Sequence, residues 1–546
     1  MSDRPLTTVH PSAGAPAISA ETFSALWDGA VETYGARPFL VFEDRDGGVR
    51  EWSFDEFDEL VGRVGSALRA HGVTKGDAVH LVLGNCPAFV ALWLAVARLG
   101  AWMVPTDPQA TERDLRGQVE RTRPRIGVCA AARAEVYRAA TGNGHVVIEL
   151  NETAVDLAEG SPILVDRADG VPRVEPREAP GPDDQLAVMW TSGTTSEPKG
   201  VVLTQANYAQ VGMAMASAAR LSHEHRWLVV LPLFHANAQY YCFASAIRTG
   251  ASVALTAAFS ASGWAASARR LGATHASLFA APIRMVLDRT PPETTPLQLQ
   301  HVWFAQNLGE DHYRQFAELC GVRPRQLYGM TETVAIVTYD RDDPPNADVI
   351  GLPLLGRQVR LVDPVAGTSV GERNPGMIEV LGQRGVDLFS HYLDNREATD
   401  AAFREAAGGQ WFRTGDLATV DAEGRLRFVG RADDVIKVAG ENVSLGQVEA
   451  VLAQAPGVLE VAVVARPDPV RDQVPAAFVV PRDRTRPPTV EQLTEWAARE
   501  LAPASRPRSW TLVRELPRTS VGKIRRFAVG QAEVLDDSRA AAPSGH

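Results

Sequence analysis

Between Phe54 and Arg125 the apolar positions change period twice. Phe57, Leu60, Val61, Val64 and Leu68 share one face of a helix, Val79 to Leu83 form a short apolar strand, residues 88–99 read as a second helix, and a strand follows near Met103. Such alternation predicts parallel strand–helix units. Trp227–Leu231, Ser252–Leu255, Ala276–Phe279 and Val302–Phe304 continue it, each separated from the next by a helical or loop segment. After Gly351 the texture shifts to short strands at Val359–Val362, Met377–Leu381 and Leu426–Val429 with Gly and Pro turns. This predicts an antiparallel or barrel-like subdomain ending near Gly430–Arg431. Beyond it, a helix at Leu445–Leu452, strands at Val458–Val464 and Ala476–Val480, and a helix at Val490–Leu501 predict a compact α+β unit.

The fold class expected is therefore α/β, with a large body of several subdomains over 19–431 and a small, mobile, hinge-linked unit over 432–530. Residues 1–18 and 531–546, rich in Ala, Ser, Pro and Asp, read as disordered ends. A chain of 546 residues is too long for one core, which stops growing at roughly 250–300 residues. A net charge of −11 excludes a broad nucleic-acid face, which needs a surplus of cations. Cys86, Cys129, Cys242 and Cys320 lack paired spacing, so neither a disulfide framework nor a zinc site is expected, and a reducing cytoplasm fits. The longest apolar run, Ala88–Ala97, is about half of the ~20 residues a membrane span needs. Neither a secretory signal nor a lipidation signature is read at the ends. No membrane partner is expected.

One loop carries candidate chemistry. Thr191-Ser192-Gly193-Thr194-Thr195-Ser196-Glu197-Pro198-Lys199-Gly200 lies between the apolar stretches Leu186–Trp190 and Val201–Leu203. Small hydroxyl residues and glycine let backbone N–H and side-chain O–H groups converge on phosphate, and Lys199 adds a point charge. Gly193 and Lys199 have Walker-like spacing, but Pro198 and Gly200 replace the Walker Gly and Ser/Thr, so that reading fails.

The loop resembles the signature of the adenylate-forming superfamily, which includes acyl-CoA synthetases, luciferases and peptide-synthetase adenylation domains. The same resemblance predicts further motifs in fixed order, and they are present: Tyr328-Gly329-Met330-Thr331-Glu332, Arg413-Thr414-Gly415-Asp416, Gly430-Arg431-Ala432-Asp433-Asp434, and Pro517-Arg518-Thr519-Ser520-Val521-Gly522-Lys523. It spans about residues 20–530 and marks 19–431 as an AMP-binding domain.

The resemblance implies ATP-dependent activation of a carboxylic acid as acyl-AMP, then transfer to a thiol, with coenzyme A the leading acceptor. Thr191, Ser192, Gly193, Thr194, Thr195, Lys199, Asn307, Gln326, Tyr328, Gly329, Met330 and Thr331 would line the ATP or AMP site, with Tyr328 against adenine. Glu332 would hold magnesium, Thr331 would bond a phosphate oxygen, Asp416 would accept both ribose hydroxyls, and Arg431 would support ribose or phosphate. Lys523 would bridge the substrate carboxylate and the α-phosphate. Asp433 would be the hinge of a rotation that brings Gly440, Glu441 and Asn442 to the acceptor thiol tunnel, and His235 would be a gate ring.

Several positions depart from the common pattern. Ser196 replaces Gly, and Gln306-Asn307-Leu308-Gly309 replaces Gly-Gly-x-Pro; both are similar to the crotonobetaine/carnitine-CoA ligase subgroup, as is Arg471-Asp472. Gln473 and Ala476 stand where related ligases often carry acidic and lysine residues. Other acceptors therefore stay open: a carrier-protein thiol, an amine, or nitrite chemistry that diazotises an aryl amine in natural-product biosynthesis. The acyl pocket is expected at His235–Tyr240, Val302–Asn307 and Val334–Val337, with Tyr240 and Tyr241 weak candidates for a cationic substrate.

Overall fold

A computed structural model describes residues 21–142, 144–165, 178–191, 198–371, 374–439, 441–517, 524 and 526–535. Among these, the strands form four sheets. The first has seven strands in the order 391–392, 199–204, 185–191, 102–105, 78–82, 126–130, 147–150. The strands from Gln185–Thr191 to Val147–Leu150 run parallel, whereas Lys199–Thr204 folds back antiparallel on Gln185–Thr191. The expected units are present: helix Phe54–Ala70, strand Ala78–Val82, helix Pro87–Leu99 and strand Trp102–Pro105. Ser53 and Glu56 form a reciprocal capping box on the first helix. Pro87 opens the second helix and left-handed Gly100 (φ 67°) closes it.

Every residue of Pro87–Leu99 is buried, Arg98 included. The Arg98 guanidinium survives there because Asp28 and Asp58 each meet it at 2.5 Å, replacing the water it lost. Among the described residues no helix is long and apolar enough to cross a membrane. The four cysteines are buried free thiols.

The second sheet has nine strands, ordered 352–353, 338–339, 325–328, 301–305, 275–279, 226–229, 252–256, 38–43, 49–53. Its six central strands are parallel and buried on both faces, so they read as apolar runs rather than alternations. Arg226–Val229 stops before the expected Leu231. Asn85, itself buried, takes the Leu231 carbonyl (3.1 Å) and the Leu233 N–H (2.8 Å), drawing the chain off the ladder towards His235.

The third sheet is antiparallel and contains 358–362, 376–382, 409–420, 403–406 and 426–431. The fourth contains 441–444, 435–438, 472–481, 458–468 and 509–512 and has its own core of Ile436, Val443, Leu445, Val448, Val461 and Val479. Two of its features escaped the apolar pattern: the hairpin Val435–Val438/Glu441–Ser444 and the parallel edge strand Ser509–Leu512. All three strands are four residues long, too short to establish a period.

Two buried histidines make stability depend on acid. His80 lies between the Tyr137 hydroxyl and Thr106 Oγ1, each 3.0 Å away. His275 stacks between His225 and His301, with ring centroids 4.6 and 5.5 Å away. Burial pushes each down to about 4. Unfolded, each titrates near 6.5, so between about 6.5 and 4 the unfolded chain binds more protons and stability falls as pH falls. Replacing His275 with Gln is expected to flatten the loss of unfolding free energy between pH 6.5 and 4.5, measured by urea titration, by at most about 1.4 kcal/mol per pH unit. Parallel unfolding series of the two proteins check this; identical slopes would refute it.

Candidate functional site

The Gln185–Thr191 strand leads into the Ser/Thr/Gly segment, and Lys199–Thr204 returns from it. Ser192, Gly193, Thr194, Thr195 and Ser196 lie outside the described residues. At the mouth, Thr191 Oγ1 donates to the Lys199 carbonyl at 3.4 Å. Lys199 Nζ sits 4.9 Å above the ring of Tyr392, which pairs with Val201 on the neighbouring edge strand. A cation held on an aromatic face keeps its charge available.

The Tyr392 hydroxyl donates to Glu332 Oε1 at 3.1 Å. Glu332 occupies a single turn, Thr331–Thr333, after the strand Arg325–Tyr328. That turn ends at Val334 with φ 61° and ψ −80°, a γ-turn geometry costly for a β-branched residue. It is imposed from both sides: the Val337 N–H reaches the Tyr328 carbonyl (2.7 Å), and buried Arg357 grips the Thr333 and Asp387 carbonyls (2.7 and 2.9 Å). The Phe389 N–H takes the Glu332 carbonyl at 2.9 Å. Glu332 is 5% exposed, and burial raises its pKa despite opposing help from Tyr392, Arg431 and Lys199. It is a buried carboxylate short of positive charge.

Asp416 finds a different solution. Its strand places Thr414 inward, where the hydroxyl donates to the Ile378 carbonyl (2.9 Å) and accepts the Asp416 N–H (3.1 Å). The Tyr328 hydroxyl donates to Asp416 Oδ2 at 2.7 Å, and Arg431 Nε stands 3.7 Å from Oδ1. Gly415 (φ 75°) lets the arginine in, since a Cβ there would stand 3.2 Å from Arg431 Nη2. Burial lowers the Arg431 pKa, but the neighbouring carboxylates, Asp416 foremost and then Glu332 and Asp434, outweigh it, so the net shift is upward. Arg431 Nε has no hydrogen-bond partner and is buried.

Lys199, Tyr392, Glu332, Asp416, Arg431 and Tyr328 thus make up one region. Gly329 adjoins it, because a Cβ there would meet the Tyr241 hydroxyl at 3.1 Å. Thr331 and Met330 are half-buried at the turn. Other predicted residues stand outside these contacts. Asn307 is exposed and its Oδ1 accepts the Gly309 N–H (3.0 Å). Gln326 is buried, and its amide, oriented by its surroundings, donates to the Ala347 carbonyl at 2.9 Å. His235 is half-buried with its ring 4.7 Å from Phe234. Arg413, in the same motif as Asp416, braces structure by donating to the Pro364 carbonyl at 2.7 Å. Tyr240 and Tyr241, on the π-helical segment Asn237–Ala244, are core residues, with Tyr240 edge-on to Tyr208 at 5.4 Å.

Lys523 and Gly440, and the side chains of Asp433 and Asn442, lie outside what is described; Glu441 is exposed on its hairpin strand. Sequence reasoning missed Tyr392 and Arg357. Tyr392 carried a signal, an aromatic within His391-Tyr392-Leu393 at the end of the apolar body, but no spacing linked it to Glu332.

The AMP-binding enzyme family matches residues 27–393, and the AMP-binding enzyme C-terminal domain matches 447–523. A crotonobetaine/carnitine–CoA ligase of Proteus mirabilis is 30% identical over 470 residues, covering 85% of this chain and 90% of its own. The fold is shared with the anthranilate CoA ligase AuaEII solved with anthranoyl-AMP (TM-score 0.83, 23% identity, 94% and 98% coverage). It is shared also with the O-succinylbenzoate coenzyme A synthetase of Bacillus subtilis solved with AMP (TM-score 0.80, 24% identity, 93% and 98% coverage).

The two carboxylates are expected to respond oppositely to neutralisation. Glu332→Gln removes a buried charge that has no ion pair among the described residues, so the thermal midpoint should hold or rise. Asp416→Ala strands the Tyr328 hydroxyl and Arg431, at a cost of about 1–3 kcal/mol. Calorimetric unfolding of both variants decides; a clear drop for Glu332→Gln would contradict this account of the site.

Proposed function

The chain belongs to the AMP-binding enzyme family, and from that premise we propose that this AMP-forming ligase activates an organic acid with ATP and passes the acyl group to coenzyme A. An oxygen of the acid's carboxylate attacks the α-phosphorus, the bond to the β-phosphate breaks, and pyrophosphate departs with the electron pair. The coenzyme A sulfur then attacks the acyl carbonyl carbon, AMP leaves, and the thiol proton passes to solvent. The observation that carries the reading is the Tyr328–Asp416–Arg431 group lying beside a buried, under-compensated Glu332.

In this reading Asp416 holds the ribose hydroxyls, since a carboxylate offers two acceptor oxygens and Oδ2 keeps a lone pair beyond its bond to Tyr328. Tyr328 backs the adenine, with Gly329 and Met330 beside it and Asn307 and Gln326 along the base side. Arg431, Thr331, Lys199 and the loop from Thr191 to Thr195 receive the phosphates. Glu332 fits a magnesium ion: a lone dry carboxylate matches a hard cation that draws its remaining ligands from phosphate and water. Bound there, magnesium would offset charge on the phosphates.

Lys523 comes from the small domain, 432–530, whereas the other charges come from the large one, 19–431. The small domain turns about Asp433 between the half-reactions, exchanging Lys523 for Gly440, Glu441 and Asn442, which receive the pantetheine arm while His235 gates it. The relatives named for coenzyme A support that acceptor. The burial of Tyr240 and Tyr241 in the core argues against their forming a cage for a quaternary ammonium, so neutral short unsaturated or aromatic acids are favoured.

A panel of crotonate, benzoate, anthranilate and crotonobetaine should give acid-dependent exchange of pyrophosphate into ATP with at least one member. Adding coenzyme A should yield a thioester detectable by mass spectrometry, and Lys523→Ala should lower exchange by about 100-fold or more. Exchange without thioester would overturn coenzyme A as the acceptor and direct the assay to carrier proteins, amines, or nitrite with an aryl amine.

A further inference from the structure

Arg526 lies three residues beyond Lys523 and, among the described residues of the C-terminal unit, pairs with two carboxylates at once. Its Nη1 meets Asp434 Oδ2 at 2.6 Å. Its Nε and Nη2 form a fork on Glu449, at 3.1 Å to Oε1 and 2.5 Å to Oε2. Glu449 is itself fixed, because Oε1 also accepts the Val463 N–H at 2.8 Å. The three groups therefore join four parts of the unit: the turn Ala432–Asp434, the helix Leu445–Leu452, the strand Val458–Asp468 and the chain following Lys523.

The lysine segment is bounded by anchors on both sides. Before it, Leu516 is buried with Ala462, Phe478 and Val513; after it, Ile524 packs against that cluster and Val529 is buried within it. Apolar packing alone fixes depth but not direction, since it is non-directional. A guanidinium fork onto one carboxylate with a third bond to another sets orientation as well as distance. Asp434 is the residue immediately after the hinge Asp433. Arg526 thus ties the residue next to Asp433 to the chain three residues beyond Lys523.

We propose that Arg526 is a positioning residue which, through Asp434 and Glu449, locks the Lys523 segment to the hinge, so that lysine and pivot turn as one body between the half-reactions. This rests on Lys523 acting in adenylation and on Asp433 as the pivot. The arginine need not touch nucleotide or acid. Its loss should therefore impair the half-reaction that uses Lys523 and spare the one that does not.

The test compares Arg526→Ala, Arg526→Lys and Asp434→Asn with the parent enzyme and with Lys523→Ala. Pyrophosphate exchange reports adenylation. Thioester formation from the synthetic adenylate of whichever panel acid exchanges fastest reports the second step, because a supplied adenylate bypasses Lys523. Arg526→Ala should lower the rate constant for exchange by about 10- to 100-fold, leave the Michaelis constant for ATP within about 3-fold, and leave transfer from the supplied adenylate within about 3-fold. Arg526→Lys, which retains charge but not the fork, should recover part of the exchange rate. Equal loss in both half-reactions, or loss with no recovery by lysine, would mean that Arg526 only holds the fold and would overturn the proposal. Unchanged exchange in Arg526→Ala would do the same if Lys523→Ala is inactive. If Lys523→Ala retains exchange, the reading of Lys523 fails instead, and the proposal falls with it. AMP binding measured by calorimetry shows that each variant keeps a folded large domain.

Discussion

The hydrogen bond from Tyr328 to Asp416 fastens the end of the nine-stranded sheet to the antiparallel sheet, and the site exists because those sheets meet there. Tyr328 and Glu332 come from one, Asp416 and Arg431 from the other, and Lys199 with its Tyr392 support from the seven-stranded sheet. No single strand could present these groups, since neighbouring side chains on a strand point to opposite faces. A nucleotide needs base, ribose and phosphates recognised together, several residues' length apart. In the proposed reading, three sheets meeting in one region supply that span, with each group on a strand or on the turn directly after one.

The same convergence explains why the two buried carboxylates differ. Asp416 is charge-balanced within the protein, with a phenol and an arginine beside it, so it remains an acceptor in a defined orientation. Among the described residues Glu332 receives one phenol and no ion pair, and burial pushes its proton affinity up. A site that completed Glu332 with its own lysine would be more stable and would leave nothing to attract a cation. The strained Val334 belongs with this imbalance: Arg357 and the Val337–Tyr328 bond hold a turn the chain would not choose alone, and that turn aims Glu332.

The parts legible from sequence were those with either a period or a motif. Pro87–Leu99 and the parallel strands announce themselves through long apolar runs, and Asp416 and Glu332 through neighbours that recur in a family. Tyr392 and Arg357 were illegible for a physical reason. Tyr392 is 60 residues from Glu332, and the bond between them arises only because an edge strand pairs beside Val201. Arg357 reads as one more surface arginine until the fold buries it among carbonyls. Arg413 is the reverse case, a residue inside a motif whose side chain serves the sheet rather than the site.

Where the large body gives way to the C-terminal unit, one stretch of backbone serves two ends. Arg431 closes the strand Leu426–Arg431 beside Asp416, and Asp434, three residues on, receives Arg526. Between them lies a single short turn, Ala432–Asp434. Ser444, in the C-terminal hairpin, also donates to the Val429 carbonyl at 2.6 Å, so the connection is braced by more than the covalent chain. A turn this short confines any change of direction to a few torsions. Arg431 beside Asp416 and Asp434 beside Arg526 are therefore held within one turn of each other. In the proposed reading, the separation of Lys523 from the other charges is thus compatible with accuracy, because a connection of few residues leaves few torsions through which the lysine could miss.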